Sequence, residues 1–516
     1  MKYHLALSWV LILGLAGGLM LTPGSTAVAQ TCEPVLVQRL LASNGAHGDN
    51  FGCAVSISGD LLVVGASNAD APYEDHGCAY VYRRTGEGWI QEAMLDRATI
   101  QEQEYALSVS VSDRWALVGA PERNTMVPDS GGACAFYWEG NEWSLRQVLH
   151  AEEDKAHRRF GHPISMYGTQ AAIGALGLDD EPGGSAVTVL HVQDQRWDRQ
   201  ATVQGTDTKS GDLFGSAISL SQTRLAIGAP HCDDRGVRSG AVYVFGWDGS
   251  QWVQEARILE PGGMENSLFG SAVSMSGDLL AIGAPRYYYG NDKGHTYIYR
   301  WDGSDWTMQC DIMISDGFSK DSLGTAVAMS ESMCITGGPD HERSTGLAVA
   351  YRLDGQQCIE ETSVPGPSME LYTYFGSALA LEGETLVVGA YRDENEQGVR
   401  TGAAYVFDLN CTPPSLTTLG SCPGQMRFKV ESATPGARIA YLYADGEGSF
   451  EIPPGYQCAG LTLGLNKTTK LASVGVADEN GTGRLDVKVP AIACGRVYVQ
   501  AVDVTTCETS NVVHIE

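Results

Sequence analysis

Beyond its first 29 residues, the sequence has no segment that is apolar for long enough to span a membrane. It also lacks sustained helical periodicity, so an α-helical fold is not expected. Basic residues are scarce: 34 Lys and Arg stand against 62 Asp and Glu, and the formal net charge is −28 at pH 7. Because nucleic acids and anionic lipids are bound by basic surfaces, neither is expected as a partner.

Signatures of common enzymes are also missing. The eleven His residues form no H-E-x-x-H motif, and no Ser lies in a G-x-S-x-G motif. The His and Cys residues lack the spacing of zinc sites. A non-enzymatic protein is therefore predicted. Two alternatives stay open, namely a polysaccharide-active hydrolase or lyase that uses carboxylates, and a structural envelope or matrix component without a small ligand.

The N-terminal segment has the pattern of a secretory signal peptide. Lys2 precedes an apolar run over residues 5–21, and the polar stretch that follows ends in Ala27-Val28-Ala29. We therefore predict a signal peptide over residues 1–29 and a secreted protein, which is extracellular, periplasmic or on the cell surface. All 13 cysteines follow this segment, and disulfides form in such compartments.

A repeat dominates the rest of the chain. Seven anchors are spaced by 54, 55, 54, 55, 54 and 52 residues, and Gly-Ala or a close relative comes fourteen residues after each. The anchors are Phe51-Gly52, Tyr105-Ala106, Phe160-Gly161, Phe214-Gly215, Phe269-Gly270, Leu323-Gly324 and Phe375-Gly376. Seven copies in register indicate a repeat architecture.

Each of the first six repeats contains four predicted strands. Residues 54–58 alternate apolar with small polar side chains, and residues 61–64 form a short apolar run. A third strand follows, and the fourth begins at Trp89, Trp143, Trp197, Trp252, Trp306 and, at the same offset, Cys358. A four-stranded sheet cannot bury both faces alone, whereas seven sheets in a ring bury one another. The sequence therefore predicts an all-β fold built on a seven-bladed β-propeller over residues 30–411.

The ring is predicted to close through the N-terminus. The seventh repeat lacks a fourth strand after Phe407, and residues 35–42 lie where that strand is expected. Alignment places Cys32 and Cys411 at two positions that are consecutive in the hairpin turns of intact repeats. We therefore predict a Cys32–Cys411 disulfide that replaces the missing turn.

The Phe-Gly, Gly-Ala-Pro and Gly-x-x-Tyr-Val-Phe signatures resemble the FG-GAP repeat of integrin α-chain heads and of related bacterial secreted proteins. The resemblance covers about residues 31–411. Three copies keep the full motif: Gly119-Ala120-Pro121, Gly228-Ala229-Pro230 and Gly283-Ala284-Pro285. The family implies a propeller used for extracellular adhesion or ligand binding.

One feature departs from that family. Several integrin repeats hold Ca²⁺ in an Asp-x-Asp-x-Asp-Gly loop between the Phe-Gly and Gly-Ala-Pro strands. Here the connection is short, as in Ser58-Gly59-Asp60 or Glu382-Gly383-Glu384, and lacks the six to eight oxygens that Ca²⁺ takes. No metal or other cofactor is therefore predicted. A weak divalent-cation site on acidic loops elsewhere is the alternative.

The loops that follow the Gly-Ala strands vary most, and repeat symmetry places them all on one rim. Tyr beside Asp and Arg suits a carbohydrate or protein ligand, through stacking and hydrogen bonding. We predict a binding or adhesion module whose partner is an extracellular protein or glycan; ordinary solvated loops are the alternative. The candidate ligand residues are Asp233, Asp234, Arg235, Tyr287, Tyr288, Tyr289, His341, Tyr391, Arg392 and Asp393.

A linker, Thr412-Pro413-Pro414, precedes a second domain over residues 412–516. Its short apolar segments, separated by Gly, Pro and Asn turns, predict a β-sandwich. The predicted strands cover residues 426–431, 438–443, 470–477, 484–489, 497–503 and 511–515. Cys494 and Cys507 flank one strand, so we expect them to pair with Cys422 and Cys458, in one order or the other.

Overall fold

A computed structural model of the chain describes residues 34–70, 76–96, 105–121, 130–151, 159–176, 185–286, 293–313, 321–355, 357–367, 370–409, 415–420, 422–431, 437–452, 458, 462–478, 482–504, 508–510 and 512–515. Three predictions fall outside these residues: the signal peptide, the Cys32–Cys411 disulfide and the ligand role of Tyr287, Tyr288 and Tyr289. Within the described ranges, no helix is long and apolar enough to cross a membrane.

The chain enters the fold through β1 (Val35–Leu40) and then builds four-stranded antiparallel sheets in sequence order. Blade 1 contains β2 (Phe51–Ser58), β3 (Leu61–Ala66), β4 (Cys78–Thr85) and β5 (Gly88–Leu95). Blade 2 contains β6 (Val109–Ser112), β7 (Trp115–Ala120), β8 (Gly132–Trp138) and β9 (Trp143–Leu149). Blade 3 contains β10 (Ile164–Tyr167), β11 (Gln170–Ala175), β12 (Ala186–Gln193) and β13 (Arg196–Val203).

The next three blades repeat this pattern. Blade 4 contains β14 (Ala217–Leu220), β15 (Arg224–Ala229), β16 (Ala241–Trp247) and β17 (Trp252–Leu259). Blade 5 contains β18 (Ala272–Ser276), β19 (Leu279–Ala284), β20 (His295–Trp301) and β21 (Trp306–Ile312). Blade 6 contains β22 (Ala326–Met329), β23 (Met333–Gly338), the one-turn element α1 (His341–Ser344), β24 (Leu347–Asp354) and β25 (Gln357–Pro365).

Blade 7 closes the ring as predicted. It contains β26 (Ala378–Glu382), β27 (Thr385–Ala390) and β28 (Ala403–Asp408), and its fourth strand is β1. The two chain ends pair antiparallel, with Leu40 opposite Ala404 and Val35 opposite Asp408. The innermost strands contact one another in succession around the ring, and β26 contacts β2. The fold is therefore a closed seven-bladed propeller, and the N-terminal strand ends two residues earlier than expected.

Glycine sets the distance between neighbouring blades. A Cβ added at Gly228 would lie 1.9 Å from the carbonyl oxygen of Gly270 in the next blade. One added at Gly389 would lie 2.1 Å from the carbonyl oxygen of Gly52, across the seam where the ring closes. Both distances are far below van der Waals contact, so the Gly of the Gly-Ala motif is required where the backbones approach.

The small polar residues of the first strands also connect the blades. The Ser56 hydroxyl accepts a hydrogen bond of 3.0 Å from the Val111 amide of the next blade. Ser165 binds the Leu220 amide in the same way at 3.0 Å. The alternation of apolar and polar residues therefore marks an inner strand whose polar side chains bond to the neighbouring strand.

Outer strands are joined at the tryptophan position. The Gln147 side chain both donates to the Trp197 carbonyl and accepts from the Trp197 amide, each at 3.0 Å. Trp197 is fully buried and packs against Trp115 of blade 2, with ring centroids 5.4 Å apart. Between blades 5 and 6 the same two positions hold Cys310 and Cys358, which form a disulfide.

The C-terminal domain packs two sheets against each other. One contains β29 (Ser415–Gly420), β30 (Gly424–Glu431) and β35 (Gly483–Val489). The other contains β31 (Arg438–Ala444), β34 (Lys470–Val476), β36 (Val497–Asp503), β37 (Glu508–Thr509) and β38 (Val513–Ile515). A hairpin of β32 (Glu447–Glu451) and β33 (Thr462–Leu465) and a 3₁₀ turn (Ala491–Ala493) complete it. Phe428 of the first sheet and Tyr441 of the second share one buried core, as a sandwich requires.

One expected disulfide of this domain is confirmed, and Cys507, the remaining predicted partner, lies outside the described residues. Cys422 pairs with Cys494, and Cys458 is also disulfide-bonded. The sequence did not predict β29, β32 or β33. Those strands are short and lack a clear apolar alternation.

Candidate functional site

The described parts of the loops between second and third strands lie on one rim, and several of them bind the next blade through backbone hydrogen bonds. The Leu268 amide donates to the Arg238 carbonyl at 3.1 Å, the Tyr374 amide to the Ser344 carbonyl at 2.9 Å, and the Phe51 amide to the Thr401 carbonyl at 3.0 Å. In each case the accepting carbonyl lies in the loop of one blade. The donating amide belongs to the anchor Phe of the next blade or to the residue directly before it. Rim sites are therefore built at junctions between blades.

At the junction of blades 4 and 5, Asp233, Asp234 and Arg235 are exposed but already engaged. The Asp234 carboxylate accepts hydrogen bonds from Lys209 and Arg257, which lower the pKa of Asp234 to about 2. Asp233 accepts from the Arg238 amide at 2.7 Å. Arg235 donates to the carbonyl of Pro261 at 2.9 Å. These contacts fold the loop onto its own blade and onto the connection to blade 5.

In blade 7, Asp393 is fully buried beneath the rim. Its carboxylate accepts from Arg39 at 2.8 Å and from the Tyr405 hydroxyl. Burial, and then the nearby Asp393 carboxylate, raise the pKa of Tyr405. Because Arg39 belongs to β1, the carboxylate binds the closing strand to the loop. The carboxylate of Asp393 is therefore used to hold the fold together at this position.

A cluster of aromatic and basic side chains lies at the junction of blades 6 and 7. The rings of Tyr374 and Tyr391 stack with their centroids 5.1 Å apart and an interplanar angle of 21°. The Arg392 guanidinium lies 5.5 Å from the Tyr374 centroid and 5.6 Å from that of Tyr391. Leu371 and Tyr372, 40% and 48% exposed, lie in the same segment. We call these five residues the rim cluster.

Arg392 itself is exposed. Within the described part of the chain, no carboxylate lies at ion-pair distance from its guanidinium, although the chain carries a large excess of acidic residues. A guanidinium held over tyrosine rings keeps donors for a ligand, because stacking uses its face and leaves its N–H groups at the edge.

The loop of blade 6 supports the cluster. Its residues Glu342, Arg343 and Ser344 have φ of 44°, 65° and 63°, a left-handed conformation that costs non-glycine residues about 1 kcal/mol each. The Ser344 carbonyl accepts from the Tyr374 amide, and the Thr345 carbonyl accepts from the Thr373 hydroxyl at 2.6 Å. The strained turn therefore positions the segment that carries the cluster.

His341 begins that turn. Its Nδ1 lies 3.1 Å from Oδ2 of Asp321, whose side chain is only 1% exposed. Asp340 accepts a hydrogen bond of 2.6 Å from Ser322, next to Asp321 in the chain. Two contacts therefore hold the turn against residues 321–322: the His341–Asp321 pair and the hydrogen bond from Ser322 to Asp340.

The structure brings together two of the predicted site residues, Tyr391 and Arg392, and His341 lies in the turn of blade 6 that binds the neighbouring segment. Asp393 lies beneath them, and Asp233, Asp234 and Arg235 belong to a different junction. The sequence prediction missed Tyr372 and Tyr374, which directly precede the anchor Phe375 and were available as a signal. Among the described residues, no group of three or more His, Cys, Asp and Glu is placed to hold a metal ion.

Comparison with a family model agrees with the repeats described above. The model of the FG-GAP repeat family matches residues 35–82, 197–245, 252–299 and 370–407. No curated protein sequence matches the chain. A solved structure of a protein described as a candidate 6-phosphogluconolactonase, from Bacteroides uniformis, is similar at 8% identity and a TM-score of 0.43, covering 66% of this chain and 94% of that one. The four matched segments show that the chain contains FG-GAP repeats, and the closed ring of seven four-stranded sheets shows that these repeats belong to a β-propeller.

Proposed function

We propose that the chain is a secreted binding module that holds an extracellular glycan at the rim cluster. The observation that carries this proposal is the stacked Tyr374–Tyr391 pair with Arg392 over both rings. Aromatic faces pack against the C–H faces of sugars, and a guanidinium donates paired hydrogen bonds to hydroxyl or carboxylate oxygens. Tyr372, which is 48% exposed and lies two residues before Tyr374 in the chain, is the further aromatic residue that we assign to this site.

Two further features support an extracellular binding role. The FG-GAP repeat is used for adhesion in the integrin-like proteins that the sequence resembles, and the chain carries disulfides in both domains. Disulfides are typical of oxidising compartments. The acidic chain as a whole disfavours nucleic acid and anionic membranes as partners.

A glycan array probed with the full chain tests the proposal. We expect binding to at least one glycan class, and we expect Tyr372→Ala and Arg392→Ala each to weaken it at least tenfold, as loss of an anchor residue of about 1.4 kcal/mol or more predicts. Tyr167→Ala is the matched aromatic control, because Tyr167 is 49% exposed at the β10–β11 hairpin, on the opposite rim. Arg84→Ala, an exposed Arg on β4, is the matched basic control.

The alternatives appear as distinct outcomes of the same experiment. Cleavage of a bound glycan by the native chain would favour the hydrolase or lyase reading. Binding that both rim variants retain would place the ligand elsewhere and contradict the assignment of the site. Binding to no glycan at all, with capture of an extracellular protein, would favour the protein ligand. A chain that binds neither would be a structural component.

A further inference from the structure

We propose that His341 and Asp321 make the rim cluster sensitive to pH, ordering it in acid and loosening it as the pH rises. The proposal rests on the proposed function only in taking the cluster as a binding site. The claim about order in the loop stands on the geometry alone.

The first step is electrostatic. Asp321 is almost fully buried, and among the described residues its Oδ2 lies within ion-pair distance of Nδ1 of His341, at 3.1 Å, without the geometry of a hydrogen bond. A buried carboxylate is costly unless an opposite charge or hydrogen bonds compensate it. The imidazolium form of His341 places an opposite charge at that distance, and the neutral ring does not. The pair is therefore stronger when His341 is protonated, and histidines release their proton between about pH 5 and 8.

The second step connects the pair to the cluster. His341 begins a turn that three left-handed residues strain, and strained turns persist only where their surroundings hold them. The carbonyl groups of Ser344 and Thr345 in this turn hold Tyr374 and Thr373 of the next blade. Weakening the pair releases the turn, and the turn in its released form no longer fixes the Tyr374 ring under Arg392.

The other charged groups near the His341–Asp321 pair do not change their charge over this pH range. On the same turn lie Asp340, which is bonded to Ser322, and the exposed side chains of Glu342 and Arg343. On the preceding rim loop Lys293 offers its carbonyl to the Leu323 amide. Carboxylates, Lys and Arg keep their charge between about pH 5 and 8, so His341 is the group among them whose charge changes there.

Blade 7 provides an internal control. There the buried carboxylate is Asp393 and its cation is Arg39, which stays charged at all accessible pH values. The Thr401 carbonyl of that loop holds the Phe51 amide of blade 1, as Ser344 holds Tyr374. The two junctions thus have similar backbone bonds and differ in the cation that supports them.

Hydrogen–deuterium exchange of the full chain between about pH 5 and 8, corrected for the intrinsic rate, tests the proposal. We expect protection of the Tyr374 amide to fall about tenfold as the pH rises, the effect of losing one charge-assisted contact, while that of Phe51 stays constant. In His341→Gln, protection at Tyr374 should be low at every pH. Equal pH profiles at Tyr374 and Phe51 in the native chain would overturn the proposal, and this comparison needs no variant.

A second arm measures affinity for whichever glycan the array identifies, at the two ends of this pH range. We expect about tenfold weaker binding at the alkaline end in the native chain, and no pH dependence in His341→Gln. An array without any glycan hit contradicts the proposed function, yet the exchange profile still decides whether the loop responds to pH. Unchanged affinity together with changed exchange would overturn the regulatory role.

Discussion

Cys310 of blade 5 and Cys358 of blade 6 are bonded covalently at the two positions where Gln147 and Trp197 meet through hydrogen bonds in blades 2 and 3. Both pairs connect the outermost strands of neighbouring blades. The chain therefore uses two different chemistries for one structural task. Within the described part of the propeller, the buried or half-buried thiols of Cys53, Cys78, Cys232 and Cys334 are not disulfide-bonded.

Removing this disulfide tests its contribution. Cys310→Ser with Cys358→Ser should destabilise the propeller by about 2–4 kcal/mol, because the unfolded chain gains conformational freedom. Replacing the pair with Gln and Trp, as Cys310→Gln with Cys358→Trp, should recover part of that loss. Calorimetry reports the difference. As a control, Cys422→Ser with Cys494→Ser should affect the C-terminal sandwich instead, and an equal effect of both double variants on the propeller would contradict this account.

Because neighbouring blades approach closely, substituting a glycine between blades should cost more stability than substituting one in an open turn. Gly389→Ala should destabilise the chain by about 3 kcal/mol, because the new Cβ would overlap the Gly52 carbonyl oxygen at the seam. Gly86→Ala is the matched control, since a Cβ there meets no atom within 4 Å. Urea denaturation gives both values. Similar midpoints for the two variants would show that the blades can separate without cost.

The buried ion pair at the seam should matter more than an exposed one. Arg39→Met leaves Asp393 buried without its cation, and we expect a loss of about 3 kcal/mol in the free energy of unfolding. Arg427→Met removes an exposed pair with Asp486 and should cost less than about 1 kcal/mol. Denaturation of both variants in the same buffer makes the comparison. The idea fails if the exposed pair proves the more costly to remove.

Acid should loosen the loop of blade 4. Lys209 and Arg257 hold the pKa of Asp234 at about 2, below its ordinary value of 3.8, so this contact stabilises the fold above pH 3.8 and is lost as the pH falls toward 2. Amide exchange in residues 231–239, followed through this interval, should show the loss. In Lys209→Met the loss should begin at higher pH. A profile identical to that of the native chain would exclude Lys209 as a cause of the shift.

The architecture could be predicted from the sequence because each position of the repeat has a local structural requirement, and only certain residue types meet it. Gly52 and Gly389 mark backbone approaches that no other residue permits, and Ser56 marks a strand whose polar face meets its neighbour. The missing fourth strand after Phe407 predicted the pairing of β1 with β28 without any structural information.

Side-chain contacts at the rim and the seam were not predictable in the same way. Tyr374 and Tyr391 stack because two loops from the same repeat meet over a junction, and repeat spacing does not specify side-chain positions at a rim. Burial of Asp393 likewise depends on Arg39, far away in the chain. The Cys310–Cys358 pair did leave a signal, since Cys358 occupies a tryptophan position, but its partner became clear only once blades 5 and 6 were adjacent.

The pairing of β1 with β28 also fixes the order in which the molecule can be completed. The segment of the propeller that is synthesised first gains its partner last, after all seven repeats exist, and long-range pairing of this kind is slow because the intervening chain must be brought to closure. A nascent chain that stops before Ala403 would therefore present an unpaired N-terminal strand and an open seventh sheet. Such fragments are prone to proteolysis and to aggregation with other chains. Only the complete ring is therefore expected to accumulate as folded protein.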